Sequence, residues 1–200
     1  VSAARARLFR ANVFFNRGRF DEGVRLVSKT LEEVPAIRGS EEEGFAQVDL
    51  ANAYTRSGET EKATAALDRA EAIFEDHPER KGLTSVHRFR GTLEISAGRL
   101  DRAVEHLSRA VEIGRETGNR KEEVLTLEML AHACWQLALY AEGERHLKRG
   151  LTLSRILGDK VGEHRLLGIG GLIASARGEI DEARAQLETV VRFWDGRKMA

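Results

Sequence analysis

Small and apolar residues return along this chain at intervals of three and four, and the whole pattern returns every forty residues. The turn tripeptides that begin at Gly18, Gly58, Gly98, Ala138 and Gly178 keep that register with no insertion between them. Five positions after each tripeptide begins stands a small residue, Gly23, Ala63, Ala103, Gly143 or Ala183, and four further on a branched aliphatic, Val27, Leu67, Leu107, Leu147 or Leu187. Seven residues before each turn comes a second small series, Ala11, Ala51, Gly91, Ala131 and Gly171. Recurrence at three and four is the period of a helix face, and no stretch alternates with period two over the length of a strand. A fixed period of roughly 20 to 50 residues marks a repeat architecture.

The turns predict two helices per period. Each turn residue stops one helix, and Asp21, Glu61, Asp101 and Asp181 fall in the first turn of the next, where a carboxylate meets the positive end of the helix dipole. Ala141 lacks that charge, although Glu142 follows it. A helix of about 15 residues is roughly 22 Å long, and one such pair cannot bury its apolar face alone. The expectation is therefore an all-α fold, a right-handed superhelical solenoid of five helix-turn-helix repeats with ten antiparallel helices. The repeats run at 1–40, 41–80, 81–120, 121–160 and 161–200, in one domain spanning 1–200. The last helix, with Leu187, Val190, Val191 and Phe193, has nothing after it to cover it. That predicts either a segment of a longer protein or an end that pairs with another copy.

The run Leu50, Ala51, Tyr54, Gly58, Ala63, Leu67 and Ala70 resembles the tetratricopeptide repeat: an apolar and small pair, an aromatic, a turn glycine, and a small-apolar-small second helix. The resemblance extends over nearly the whole chain. Its forty-residue period, against the usual 34, and endings such as Gly158, Asp159 and Lys160 are similar to the variety found in large bacterial signalling and transcription regulators. The resemblance implies a protein-interaction scaffold without chemistry of its own, whose first helices line a concave groove for a peptide or protein segment. Carried over by position, the lining is Asn12, Phe15, Phe45, Asp49, Asn52, Arg56, Ser85, Arg88, Phe89, Thr92, Met129, His132 and Trp135. Asn12 and Asn52 lie one repeat apart, and a side-chain amide both donates and accepts, so the two suit a clamp on a peptide backbone. The carboxylate-clamp version of the family needs lysines and arginines where this chain has Leu8, Asp49, Ser85 and Phe89, so that version is excluded. Two other readings stay open: a regulatory sensor segment answering to a peptide or small effector, and a self-assembly module acting through the uncovered end.

Composition narrows the partners. Lys plus Arg and Asp plus Glu are 32 each, which leaves no surplus cation for a general binder of nucleic acid or anionic membrane. The balance is uneven by repeat: net +4 over 1–40, −7 over 41–80 and +3 over 81–120. Such a bipolar half suits steering of a charged protein partner or of a second copy. The single Cys134 cannot form an internal disulfide, and no apolar run reaches the roughly 18 residues that span a bilayer. The expected setting is cytoplasmic, with no cofactor.

Enzymatic patterns fail one by one. Gly168, Gly170 and Gly171 lack the strand, the third glycine and the lysine of a phosphate loop, and read as helix-packing glycines. His132 and Cys134 are two apart and point to different helix faces, so Cys134 reads as a core cysteine. His106 and His146, one repeat apart, read as outer-surface neighbours lacking a third metal ligand. Repeat three is peculiar: Arg90 and Glu94 replace apolar residues and stand four apart, close enough to pair. With His87 and Arg88 they form a candidate slot for anchoring a partner.

Overall fold

A computed structural model describes residues 2–77 and 80–198. Its helices are α1 Ser2–Asn16, α2 Phe20–Glu33, α3 Glu41–Arg56, α4 Thr60–Glu75, α5 Gly82–Ser96, α6 Leu100–Glu116, α7 Arg120–Gln136, α8 Tyr140–Leu157, α9 Lys160–Ala176 and α10 Ile180–Lys198, with a 3₁₀ turn at Pro35–Ile37. Among the described residues there is no strand. The chain is thus an all-α helical repeat. It divides into two compact units, residues 1–97 with α1 to α5 and residues 98–200 with α6 to α10.

The turns work as the spacing requires. Gly18, Gly58, Gly98 and Gly178 take the left-handed conformation, with φ between 73° and 79°. Ala138 does the same job at φ 58° with a Cβ that disfavours it. Acidic first turns follow at Asp21, Glu61, Asp101 and Asp181. At the start of α3, Ser40 accepts from the Glu43 amide, and the Glu43 carboxylate reaches back to accept from the Gly39 amide at 2.5 Å, so one orphan helix donor and the amide before the cap are satisfied together.

In the first unit α1 packs on α2 and α3, and α3 on α4 and α5. Phe74 is fully buried there. The ring is socketed by glycines of two neighbouring helices: a Cβ at Gly44 would come 2.6 Å from Phe74 Cζ, and one at Gly82 would also strike the ring. In the second unit Val124, Leu127, Ala131, Leu147, Leu153, Leu166, Ile169 and Ile173 form one core from α7, α8 and α9. Gly171 admits α10, since a Cβ there would lie 2.7 Å from Leu187 Cγ. Two buried acids clasp helix pairs in the same way two repeats apart. Arg69 Nε reaches Glu43 at 2.8 Å and Arg149 Nε reaches Glu123 at 2.6 Å, the latter acid having no exposed side-chain surface.

Helix α10 carries exposed apolar surface at Leu187, Val191 and Trp194. The branched aliphatic of the other four repeats is buried, whereas Leu187 is 37% exposed. No helix among the described residues is long and apolar enough to cross a membrane.

Candidate functional site

The first helices of the repeats in the first unit, α1, α3 and α5, pack side by side and present one continuous set of positions. A polar line crosses it. Asn16 Nδ2 donates to Asn12 Oδ1 at 2.8 Å, and Asn12 Nδ2 donates to Asp49 Oδ2 at 3.4 Å. Asn12 is thereby oriented, oxygen toward its own helix and nitrogen toward α3. Burial pushes the Asp49 carboxyl up, and the Asn12 amide pulls the other way. Asn52, half-buried, lies three residues on from Asp49 along α3, on the same face.

Aromatic and cationic groups flank this line. Phe45 is 44% exposed and meets the edge of Phe74 at 5.0 Å between ring centres. Arg56 lies 5.4 Å over the Phe20 ring. Arg88 lies 4.2 Å over Phe89, and Thr92 is tied to its own helix through the Arg88 carbonyl at 3.1 Å. Two of the sequence-derived lining residues turn inward. Phe15 is 8% exposed because its ring fills the space left by Gly23, and Ser85 is buried in α5. The bulk of the phenylalanine and the missing Cβ opposite decide that placement.

The second unit holds Met129, His132 and Trp135 on α7, all half-buried. The His132 and Trp135 rings lie 5.4 Å apart, and burial lowers the imidazole pKa, which favours its neutral form. Trp135 also packs against the unit's core.

The repeat-three slot is built differently from its expected Arg90 and Glu94 pair. Arg90 turns back to α4, forking onto Glu71 at 2.9 and 2.6 Å and reaching Asp68 at 2.8 Å. His87 Nε2 lies 3.8 Å from the same Glu71 carboxylate. The acids of the preceding helix, outside the helical spacing that pointed to Glu94, anchor the guanidinium.

A separate cluster lies at the repeat-four turn. Ligand atoms of Cys134, Glu142 and His146 all fall within 4.8 Å of one another. Burial, with the Glu142 charge beside it, pushes the Cys134 thiol up to about 11, and burial lowers the His146 imidazole. His146 is therefore turned toward α7, with a side chain 23% exposed, and does not stand on the outer surface. Sequence reasoning took Cys134 and His146 separately. The signal that could have joined them is their place on either side of the one turn at 137–139, near the end of α7 and the start of α8.

Three segments, residues 4–28, 44–69 and 171–189, match the tetratricopeptide repeat family model. None of the curated proteins matches the chain in sequence. Among solved structures, the fold is similar to a signal transduction ATPase with numerous domains from Pyrococcus horikoshii that has a tetratricopeptide repeat sensor. The likeness has TM-score 0.82 and 19% identity, and covers 96% of this chain and 29% of that one. A Podosopora anserina protein of nearly identical TPR-like repeats matches at TM-score 0.72 and 20% identity, over 100% of this chain and 98% of that one. A Rap protein complexed with Competence and Sporulation Factor matches at TM-score 0.78 and 14% identity, over 93% of this chain and 52% of that one.

Proposed function

We propose that this tetratricopeptide-repeat chain is a protein-interaction scaffold whose first-helix faces hold an extended peptide or protein segment. The observation that carries the reading is the oriented line Asn16, Asn12 and Asp49, with Asn52 beside it on α3. Asp49 is an acceptor held in a half-buried bed, and Asn52 offers both a donor and an acceptor. A peptide backbone presents both kinds of group in alternation along an extended strand, so it can satisfy both residues at once. Phe45 and the stacked Arg88 and Phe89 supply apolar and cationic contacts to either side. The mechanism is binding, not bond making. In the second unit Met129, His132 and Trp135 form the corresponding face.

A display screen of peptides against the full chain, followed by titration of the best sequence, tests the reading. Asp49→Ala and Asn52→Ala should each weaken binding about ten-fold, the loss of one or two partly buried hydrogen bonds. Glu61→Ala, in an exposed first turn, should not. Equal affinity across all three variants would place the peptide elsewhere.

A regulatory sensor is the second reading, in a longer protein or alone. It is favoured by the likeness to a tetratricopeptide repeat sensor and to a Rap protein in complex with Competence and Sporulation Factor. A sensor needs a ligand that binds two states of the array unequally. Hydrogen exchange with and without the screened peptide separates the two: a scaffold gains protection at the contact helices alone, a sensor at distant helices as well.

A further inference from the structure

We propose that Cys134, Glu142 and His146 form a zinc site, three protein ligands with a fourth position open to water. The three donors come from the last turn of α7 and the first two turns of α8, joined by the turn at 137–139. Glu142 and His146 stand four apart on one helical face, and Cys134 faces them across the helix pair. His146 Nε2 and Glu142 Oε1 are 3.8 Å apart. Ligands of a tetrahedral zinc ion at about 2.0–2.3 Å from the metal stand roughly 3.3–3.8 Å from each other. The remaining separations, all within 4.8 Å, close to that value with side-chain rotations of about an ångström.

Two features point to a ligand and away from ordinary packing, and two more set the surroundings of the cluster. First, His146 Nε2 is buried with no partner at hydrogen-bond distance, its neighbouring acid oxygen Glu142 Oε1 standing 3.8 Å away, so a ring nitrogen that can ligate a metal is turned into the cluster. Second, the sister repeats do not repeat the set. At the same three positions they carry Phe14, Glu22 and Leu26; Tyr54, Lys62 and Ala66; Glu94, Arg102 and His106; and Ala174, Glu182 and Gln186. Third, Gly143, at the small position that every repeat keeps, brings the two helices together at this level, where an added Cβ would lie 3.3 Å from Cys134 Cβ. Fourth, Glu142, though neither Cys134 nor His146, lines an open surface depression of about 550 Å³ with Leu139, Tyr140, Arg145 and Arg177, which leaves its carboxylate reachable from solvent.

The donor set chooses the metal. A thiolate and an imidazole exclude the oxygen-seeking magnesium and calcium, and the mixture of sulfur, nitrogen and oxygen is that of a borderline-soft divalent ion. Arg145 and Arg177 are exposed, so water screens the repulsion between their charges and an arriving cation. Arg177 is moreover engaged by Glu144 and by Glu179 at 3.0 Å.

The test uses the untagged full chain stripped by a chelator and titrated with cobalt(II), then with zinc in competition. The expected result is one equivalent of cobalt with a thiolate-to-metal charge-transfer band in the near ultraviolet, erased by zinc. Cys134→Ser should abolish the band, and His146→Gln and Glu142→Gln should each weaken zinc at least ten-fold. His106→Gln, one repeat away, should leave both unchanged. Circular dichroism monitors folding, and the half-exposed Glu142 keeps the test usable where the buried Cys134→Ser variant does not fold. Zinc should also raise the melting temperature of the parent chain and not that of His146→Gln. No cobalt band, a band that survives in Cys134→Ser, or equal zinc affinity in His146→Gln and His106→Gln overturns the site.

Discussion

Asp49 pays for its position with a carboxyl that burial makes harder to ionise. The folded-state pKa lies above the unfolded one, so the folded protein holds that proton to higher pH than the unfolded chain does. The resulting stability is present at acid pH and is lost as pH rises through the raised folded value. Asp49→Asn should accordingly melt higher than the parent at pH 7 and equal to it near pH 3, measured by calorimetry across that range. The same variant should bind the screened peptide more weakly, because the amide replaces one acceptor oxygen by a donor. A second residue under strain is Ala138, whose left-handed φ of 58° is taken by glycine in the other four turns. Ala138→Gly should stabilise the chain by about 0.5–1 kcal/mol, the relief of the Cβ clash less the entropy that glycine adds to the unfolded state. Denaturant melts resolve a difference of that size.

Each helix pair is closed by a few unequal contacts. Phe74 spans three helices through its glycine socket, so Phe74→Ala should cost about 3–5 kcal/mol, the usual range for an aromatic lost from a core. Gly44→Ala acts on the same socket from the other side and should cost about 1–3 kcal/mol by overpacking. The Glu123 and Arg149 clasp is asymmetric: the acid is fully buried and the arginine side chain is 40% exposed. Arg149→Met should therefore cost on the order of 2 kcal/mol, because Glu123 is left buried with its charge unmet, less whatever water reaches it from the exposed side. These pairings explain what spacing alone missed. Arg90 and Glu94 are neighbours on one helix, but a guanidinium reaches across to an adjacent helix as easily, and Glu71 and Asp68 stand there. Phe15 likewise shares its helical face with Asn12, yet the cavity beside Gly23 draws it inward.

Stability in a repeat array is close to a sum of repeat and neighbour contributions, so the units need not open together. Helix α10 packs on α9, with Leu187 against Gly171, and leaves Leu187 and Trp194 partly and Val191 well exposed. Its amides should exchange faster than those of α7, which packs on α6, α8 and α9. Native-state hydrogen exchange at low denaturant checks the order; uniform protection along the second unit would show a single cooperative block in its place.

The forty-residue period determined the helix count, the turns and the buried small residues, because these follow from local periodicity and backbone sterics that each repeat carries within itself. A repeat position also maps onto a helix face, which is how the candidate lining was drawn up, but burial of Phe15 and Ser85 was not legible from that mapping. What tertiary structure decided is which side chains meet across helices: the amide line from Asn16 to Asp49, the acids that take Arg90, and the meeting of Cys134 with Glu142 and His146. Those contacts depend on the crossing of neighbouring helices and on the volume each glycine leaves open, and neither quantity is periodic in a single chain.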